Sequence, residues 1–333
     1  MALNLKRFLP DPYILGLVST VVVASILPAR GEGAVLFGWI TNAAIVLLFF
    51  LHGAKLSREA VLEGLGHWRL HVLVLACTFV LLPALGLAAR AIGGRFIDPT
   101  LAAGVLFMCL LPSTVQSSIA FTSVGKGNVA AAVCAASASN LIGILLTPVL
   151  AKLLMADVSG QAGGGAAFKQ VEAIALQLLL PFVLGHLSRP LIAGWLHRQK
   201  ALVGLVDRGS ILLVVYTAFS AAVVEGLWSR LSVADLAIVL ALDAGVLAGA
   251  LVITTLVSRA LGFSRADEVA IVFCGSKKSL ASGVPMAGVL FPAAMVGPII
   301  VPLMLFHQIQ LMVCAFLAKR YAARAAAEDQ AAA

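Results

Sequence analysis

Two adjacent lysines, Lys277 and Lys278, stand in the run Ile271-Val272-Phe273-Cys274-Gly275-Ser276-Lys277-Lys278-Ser279-Leu280-Ala281, with apolar sequence continuing on both sides. An ionised side chain at the middle of a bilayer costs about 2.5 to 3.5 kcal/mol even on lenient scales, so such residues mark function and face protein or a wet cavity. A second polar run, Pro112-Ser113-Thr114-Val115-Gln116-Ser117-Ser118, interrupts another apolar stretch. Pro112 removes a backbone donor there, and the hydroxyls are too many for a lipid-facing helix. Each segment therefore reads as a helix broken in mid-course. Carbonyls freed at such a break can hold a cation, and the N–H groups opening the next half-helix can hold an anion. The plainer alternatives are a proline kink resatisfied by neighbouring hydroxyls and, for the lysines, a span that starts later and leaves them snorkelling at the interface. Asp267 and Glu268 already give that span a charged edge upstream, which argues against the second. Adjacent helical positions differ by about 100° in direction, so the two ammonium groups are expected to differ in partner. One should face the contact between the two halves of the chain, the other a water-filled cavity.

Asp243, in Ala241-Leu242-Asp243-Ala244-Gly245, is a lone carboxyl in an apolar run. Such a group is paired, with Lys277 or Lys278 as the obvious partner, or it titrates or binds a cation. Asn140, with Ser137 and Ser139 beside it, and His307-Gln308 with Gln310 fall in equivalent places in the two halves. Each is a candidate for the site, or simply helix–helix glue worth about 0.6 kcal/mol per hydrogen bond. Asn42 and Gln177 read as structural. A Ser-Lys hydrolase built on Ser276, Ser279 or Ser117 is the enzyme alternative. No Gly-x-Ser-x-Gly elbow and no His-Glu-x-x-His helix accompanies it.

The elements that hold these residues follow from composition. Of 333 residues 61% are hydrophobic and 11% charged, far from the balance of a water-soluble domain, so the chain is expected to fold in lipid. Apolar runs predict helices near 12–27, 34–52, 71–91, 99–124 and 128–155, then 168–187, 204–224, 233–258, 267–290 and 294–318. These ten spans form one all-α integral membrane unit over 1–333, without a separate soluble domain. Lys6 and Arg7 before the apolar run 14–27 resemble a secretory leader, but Pro28-Ala29-Arg30-Gly31-Glu32 offers no small-x-small cleavage site, so the run is read as the first span. Cys77, Cys109, Cys134, Cys274 and Cys314 lie in apolar stretches without ligand spacing and read as small buried hydrophobes. The 23 Lys and Arg are scattered instead of striped, which argues against nucleic acid. With Lys277 and Lys278 inside a span, six of them, Arg30, Arg90, Arg95, Lys152, Lys169 and Arg230, fall on one side and the other fifteen on the side of the termini. That bias predicts cytoplasmic termini in a cell inner membrane.

The halves, about 12–155 and 168–318, resemble each other: Asp98-Pro99 opens the first interrupted span and Asp267-Glu268 the second. The helix after each break ends alike, in Leu150-Ala151-Lys152 and Leu317-Ala318-Lys319. Five spans is an odd number, so the second copy enters from the opposite face, predicting inverted repeats with spans 4 and 9 broken.

Leu111-Pro112-Ser113-Thr114 through Gly127-Asn128-Val129, then Leu146-Thr147-Pro148, and above all Phe273-Cys274-Gly275-Ser276-Lys277-Lys278-Ser279-Leu280-Ala281 carry a resemblance to a known family. The sequence resembles the bile acid:sodium symporter superfamily, in its SBF-like branch of sodium-dependent transporters, over nearly the whole chain. The resemblance implies a panel of spans 1, 2, 6 and 7 and a core of spans 3–5 and 8–10. It also implies that the interrupted spans 4 and 9 cross, with sodium bound in the core beside the crossing and an organic anion between the two parts. Carried over by position, Ser117 and Ser118 match the sodium-binding stretch of span 4, Ser137 and Asn140 the facing side of span 5, and Thr78 the polar position of span 3. Where bile acid transporters carry a carboxylate and glutamine in span 9, this chain has Val272 to Ser276 and then the lysines, and Ala132 and Ala136 replace hydroxyls in span 5. One sodium site is thereby expected to weaken, with a lysine in its place.

The expected cation ligands are Thr78, Ser117, Ser118, Ser137, Asn140 and Ser276; those for substrate or coupling are Thr114, Gln116, Asp243, Lys277, Lys278, Ser279 and His307. The expectation is a secondary transporter in the lipid bilayer, not an enzyme, that moves a small organic anion by alternating access with sodium or a proton. It needs no cofactor, bound Na+ being the one candidate ion. The competing class is a membrane regulator or sensor that binds a ligand without coupled transport.

Overall fold

The computed structural model describes residues 12–55, 67–156 and 166–332. Lys6 and Arg7, part of the connection between the second and third predicted spans, and the side chains of Lys169 and Gln177 lie outside the described residues. All regular structure among the described residues is helical.

The helices are α1 (Pro12–Ile26), α2 (Gly31–Lys55), α3 (Trp68–Gly93), α4 (Pro99–Leu110), α5 (Gln116–Val124) and α6 (Val129–Leu154). They continue as α7 (Ala166–Arg198), α8 (Lys200–Val224), α9 (Val233–Ala260), α10 (Arg265–Gly275), α11 (Leu280–Leu290) and α12 (Ala293–Ala332). Seven of them, α2, α3, α6, α7, α8, α9 and α12, are long and apolar enough to cross a membrane. The first predicted span is the 15-residue α1. The fourth and ninth are each two half-length helices separated by non-helical backbone, α4 with α5 and α10 with α11.

Local chemistry sets the helix starts. Asp98 accepts from Thr100 N at 2.8 Å with Pro99 in the first turn of α4. Asn128 accepts from Ala131 N at 3.0 Å to open α6, and Ser232 with Asp235 forms a reciprocal box at α9. Two helices run further than predicted. Helix α7 passes Pro190 to reach Arg198, and α12 continues beyond 318 because the following stretch is rich in alanine, the strongest helix former. Helix α3 contains a π turn over Cys77–Leu81.

Helices α1, α2, α7 and α8 pack on one another. A Cβ on Gly53 of α2 would strike the Phe182 carbonyl of α7, and one on Gly185 of α7 the Phe50 carbonyl, so these glycines allow the two backbones to touch. The remaining long helices, α3, α6, α9 and α12, surround α4, α5, α10 and α11, and α8 seals the second set by packing on α11 and α12. Large apolar side chains such as Trp39, Val80, Leu191 and Met312 stay exposed on the outside, the surface expected where the solvent is lipid. The chain is a multi-span membrane protein.

Candidate functional site

The two interrupted helices meet at their breaks. Ser279 N donates to the Pro112 carbonyl at 3.0 Å, joining one break to the other. Ser118 Oγ of α5 donates to the Phe273 carbonyl of α10 at 2.9 Å. Close packing holds the breaks in place: a Cβ on Gly143 of α6 would lie 2.7 Å from Pro112 Cβ, and one on Gly283 of α11 would collide with Leu111. The orientation of the half-helices sets the electrostatics. Helices α4 and α10 end at the breaks and present carbonyls, whereas α5 and α11 begin there and present N–H groups.

The long helix following each break returns polar side chains to it. From α6, Ser139 Oγ accepts from Ser113 N at 3.0 Å and Asn140 Nδ2 donates to the Ser113 carbonyl at 2.7 Å. Asn140 Oδ1 accepts from Ser282 Oγ at 2.9 Å, and Ser279 Oγ caps α11 by accepting from Ser282 N at 3.2 Å. From α12, Gln310 Oε1 accepts from Lys278 N and its Nε2 donates to the Lys278 carbonyl, both at 2.9 Å. His307 Nδ1 lies 2.9 Å from the same Nε2.

Both lysines are wholly buried, and neither makes an ion pair. Lys278 Nζ donates to the carbonyl oxygens of Thr78 at 2.8 Å and Leu111 at 2.6 Å, and lies 5.9 Å from the centre of the Phe79 ring. Lys277 Nζ has no hydrogen-bond partner and stands 4.3 Å over the Phe121 ring of α5, the face of a quadrupole that attracts a cation. The lysines thus splay in opposite directions, as the unwound backbone at Ser276–Ser279 permits. The expectation that one of them reaches a water-filled cavity is not met, because packing against α3, α4, α5 and α12 covers both amines.

Asp243 is fully buried on α9 in line with Val239, Val246 and Leu247, and neither carboxyl oxygen has a hydrogen-bond partner. The pairing of Asp243 with Lys277 or Lys278 does not form. The Lys278 amine is taken by the Thr78 and Leu111 carbonyls and the Lys277 amine stands over the Phe121 ring, so neither is bonded to Asp243. Among the predicted cation ligands, Thr78 Oγ1 donates to the Val74 carbonyl at 2.7 Å and Ser276 Oγ to the Val272 carbonyl at 2.6 Å. Thr114 Oγ1 is bonded to Ser118 Oγ at 2.8 Å and accepts from Ser117 Oγ at 2.9 Å. Gln116 is exposed, and Ser117, Ser137, Asn140 and His307 are half-buried. Among the described residues no cluster of three or more His, Cys, Asp or Glu side chains could hold a metal ion. The hydroxyls of Ser276, Ser279 and Ser117 donate to the Val272 carbonyl, Ser282 Oγ and Thr114 Oγ1, and neither lysine amine bonds a serine hydroxyl.

Sequence reasoning missed that Thr78 contributes its carbonyl and not its hydroxyl. The signal lay in Pro83. Leu82 N is committed to the Cys77 carbonyl and Pro83 has no N–H, which leaves Thr78 without a helical donor. It also undervalued Gln310 and Ser139 as glue, and passed over Ser282 and Phe121.

The chain matches the SBF-like CPA transporter family over residues 11–323. It is 57% identical to "Uncharacterized protein PA2026" of Pseudomonas aeruginosa over 96% of this chain and 95% of that protein. It is 54% identical to "Putative symporter YfeH" of Escherichia coli over 93% of this chain and 92% of that one. Sodium/bile acid cotransporter 7 of Mus musculus is 29% identical over 92% and 91% of the two chains. Matched nearly end to end, this chain, with its two interrupted helices joined at their breaks, belongs to the SBF-like CPA transporter family.

Proposed function

We propose that the chain is a secondary active transporter that carries a small organic anion through the crossing of α4/α5 and α10/α11 by alternating access. The observation that carries this reading is the pair of buried lysine amines where the two breaks meet, neither paired with a carboxylate. Two uncompensated cations, together with the N-termini of α5 and α11, create a positive potential in a low-dielectric site, where an anion is the natural counter-charge. The half-buried Ser117, Ser137, Asn140 and His307 and the exposed Gln116 give that anion hydrogen-bonding groups on the accessible side. Two relatives, "Putative symporter YfeH" and sodium/bile acid cotransporter 7, bear names of the same class, which supports this reading.

A ten-span, inverted-repeat architecture belongs to this reading. It is supported by two pairs of half-length helices, each followed by a long helix that turns polar side chains back to its break. The moving parts are a panel of α1, α2, α7 and α8 and a core of the other helices. Asp243, dry and without a partner, is the coupling group for a proton. In a bacterial inner membrane with cytoplasmic termini, such a carrier would take up or expel its anion against the proton or sodium gradient.

The test begins with thermal stabilisation of the purified protein against a panel of carboxylates and sulfonates, since a ligand that binds the folded state raises its apparent stability. The best stabiliser is then followed in proteoliposomes with sodium and pH gradients imposed separately. Saturable uptake supports the transporter, whereas binding without flux moves the chain to the sensor class.

A further inference from the structure

The Lys278 amine lies on two backbone carbonyls that the helices themselves cannot satisfy. Thr78 loses its donor to the π turn and Pro83, and Leu111 ends α4 where the chain turns extended into Pro112. A buried carbonyl without a donor costs several kcal/mol in hydrocarbon, and here two of them converge on one point. Two donors, or a cation, are what such a point requires. The structure supplies one from within: the stem of Lys278 starts from a backbone unit clamped at both its N–H and its carbonyl by Gln310, and its head finds both carbonyls with the Phe79 ring nearby. We infer that the Lys278 amine is a covalently tethered donor built into the crossing, which takes the place a mobile alkali ion would have on these carbonyls, so that the crossing assembles in the absence of sodium.

This rests on reading the crossing as the transport site, and it adds that sodium is not the ion which builds it. Lys277 differs in kind, with its amine bonded to no acceptor, and is left to face the transported anion.

The test uses the full chain purified in detergent, with its melting temperature measured in sodium, potassium and choline chloride at equal ionic strength and without added organic anion. The wild-type protein should melt at the same temperature in all three salts. Lys278→Met, which fills the space without charge, should melt lower in every salt. Lys278→Ala, which leaves room for an ion, should melt lower in choline but regain about 3 °C or more, saturably, when sodium or ethylammonium is added. A saturable, sodium-specific rise in the wild-type protein overturns the inference, as does a Lys278→Met protein as stable as the wild type. Should Lys278→Ala not be obtained folded in any salt, the wild-type comparison alone decides. None of these readings involves an organic anion, so failure of the transport proposal, seen as no anion bound or moved, remains separate.

Discussion

At the scale of single residues, the two lysines have opposite relations to stability. Lys277 is buried, makes no hydrogen bond and is held only over the Phe121 ring. Its replacement by methionine removes a desolvated charge at the loss of one cation–π contact, and should raise the melting temperature by about 2–4 °C, a gain near 1 kcal/mol. The same variant should lose anion binding, the pattern expected of a group retained for function against stability. A fall in melting temperature would show that the lysine is structural. Asp243 offers a second test. Both its oxygens lack partners, so Asp243→Asn breaks no hydrogen bond and should shift the melting temperature by no more than about 2 °C. Uptake by that variant should no longer respond to an imposed proton gradient, and an unchanged response would remove Asp243 from the coupling.

At the scale of helices, the breaks depend on neighbours as much as on their own sequence. Gln310 of α12 satisfies both the N–H and the carbonyl of Lys278. Gln310→Ala strands two buried backbone groups and should cost about 2–4 kcal/mol in denaturant unfolding, well beyond the loss for an exposed glutamine. Gly143→Val should be comparably harmful, because its Cβ would press on Pro112 from α6 and overpacking there costs about 1–3 kcal/mol. Both breaks were legible in the sequence, since Pro112 and Lys277-Lys278 violate what a lipid-facing helix tolerates. What the lysines touch was not. Lys278 reaches a carbonyl 200 positions away in the chain, freed by a π turn whose only local trace is Pro83. The pairing with Asp243 was drawn from charge alone, and charge does not report which carbonyls a break in another helix leaves open to a lysine. The ends of α7 and α12 were placed early because apolar periodicity stops where the helix leaves lipid, although the helix itself continues through Arg198 and Ala332.

At the scale of the molecule, the family was legible because the features that carry it, the polar breaks and the apolar runs around them, are local in sequence. The contacts between distant helices, such as the glycine seam of α2 and α7, are not local in sequence, and only the fold displays them. In the account given, positive charge at the crossing recruits the anion and the two groups of helices move around it. Counterflow of a labelled anion into proteoliposomes, compared between wild type and Lys277→Met, tests this most directly. The account predicts saturable exchange by the wild type and its loss in a variant that remains folded and at least as stable. Exchange at the same rate in both proteins would contradict it.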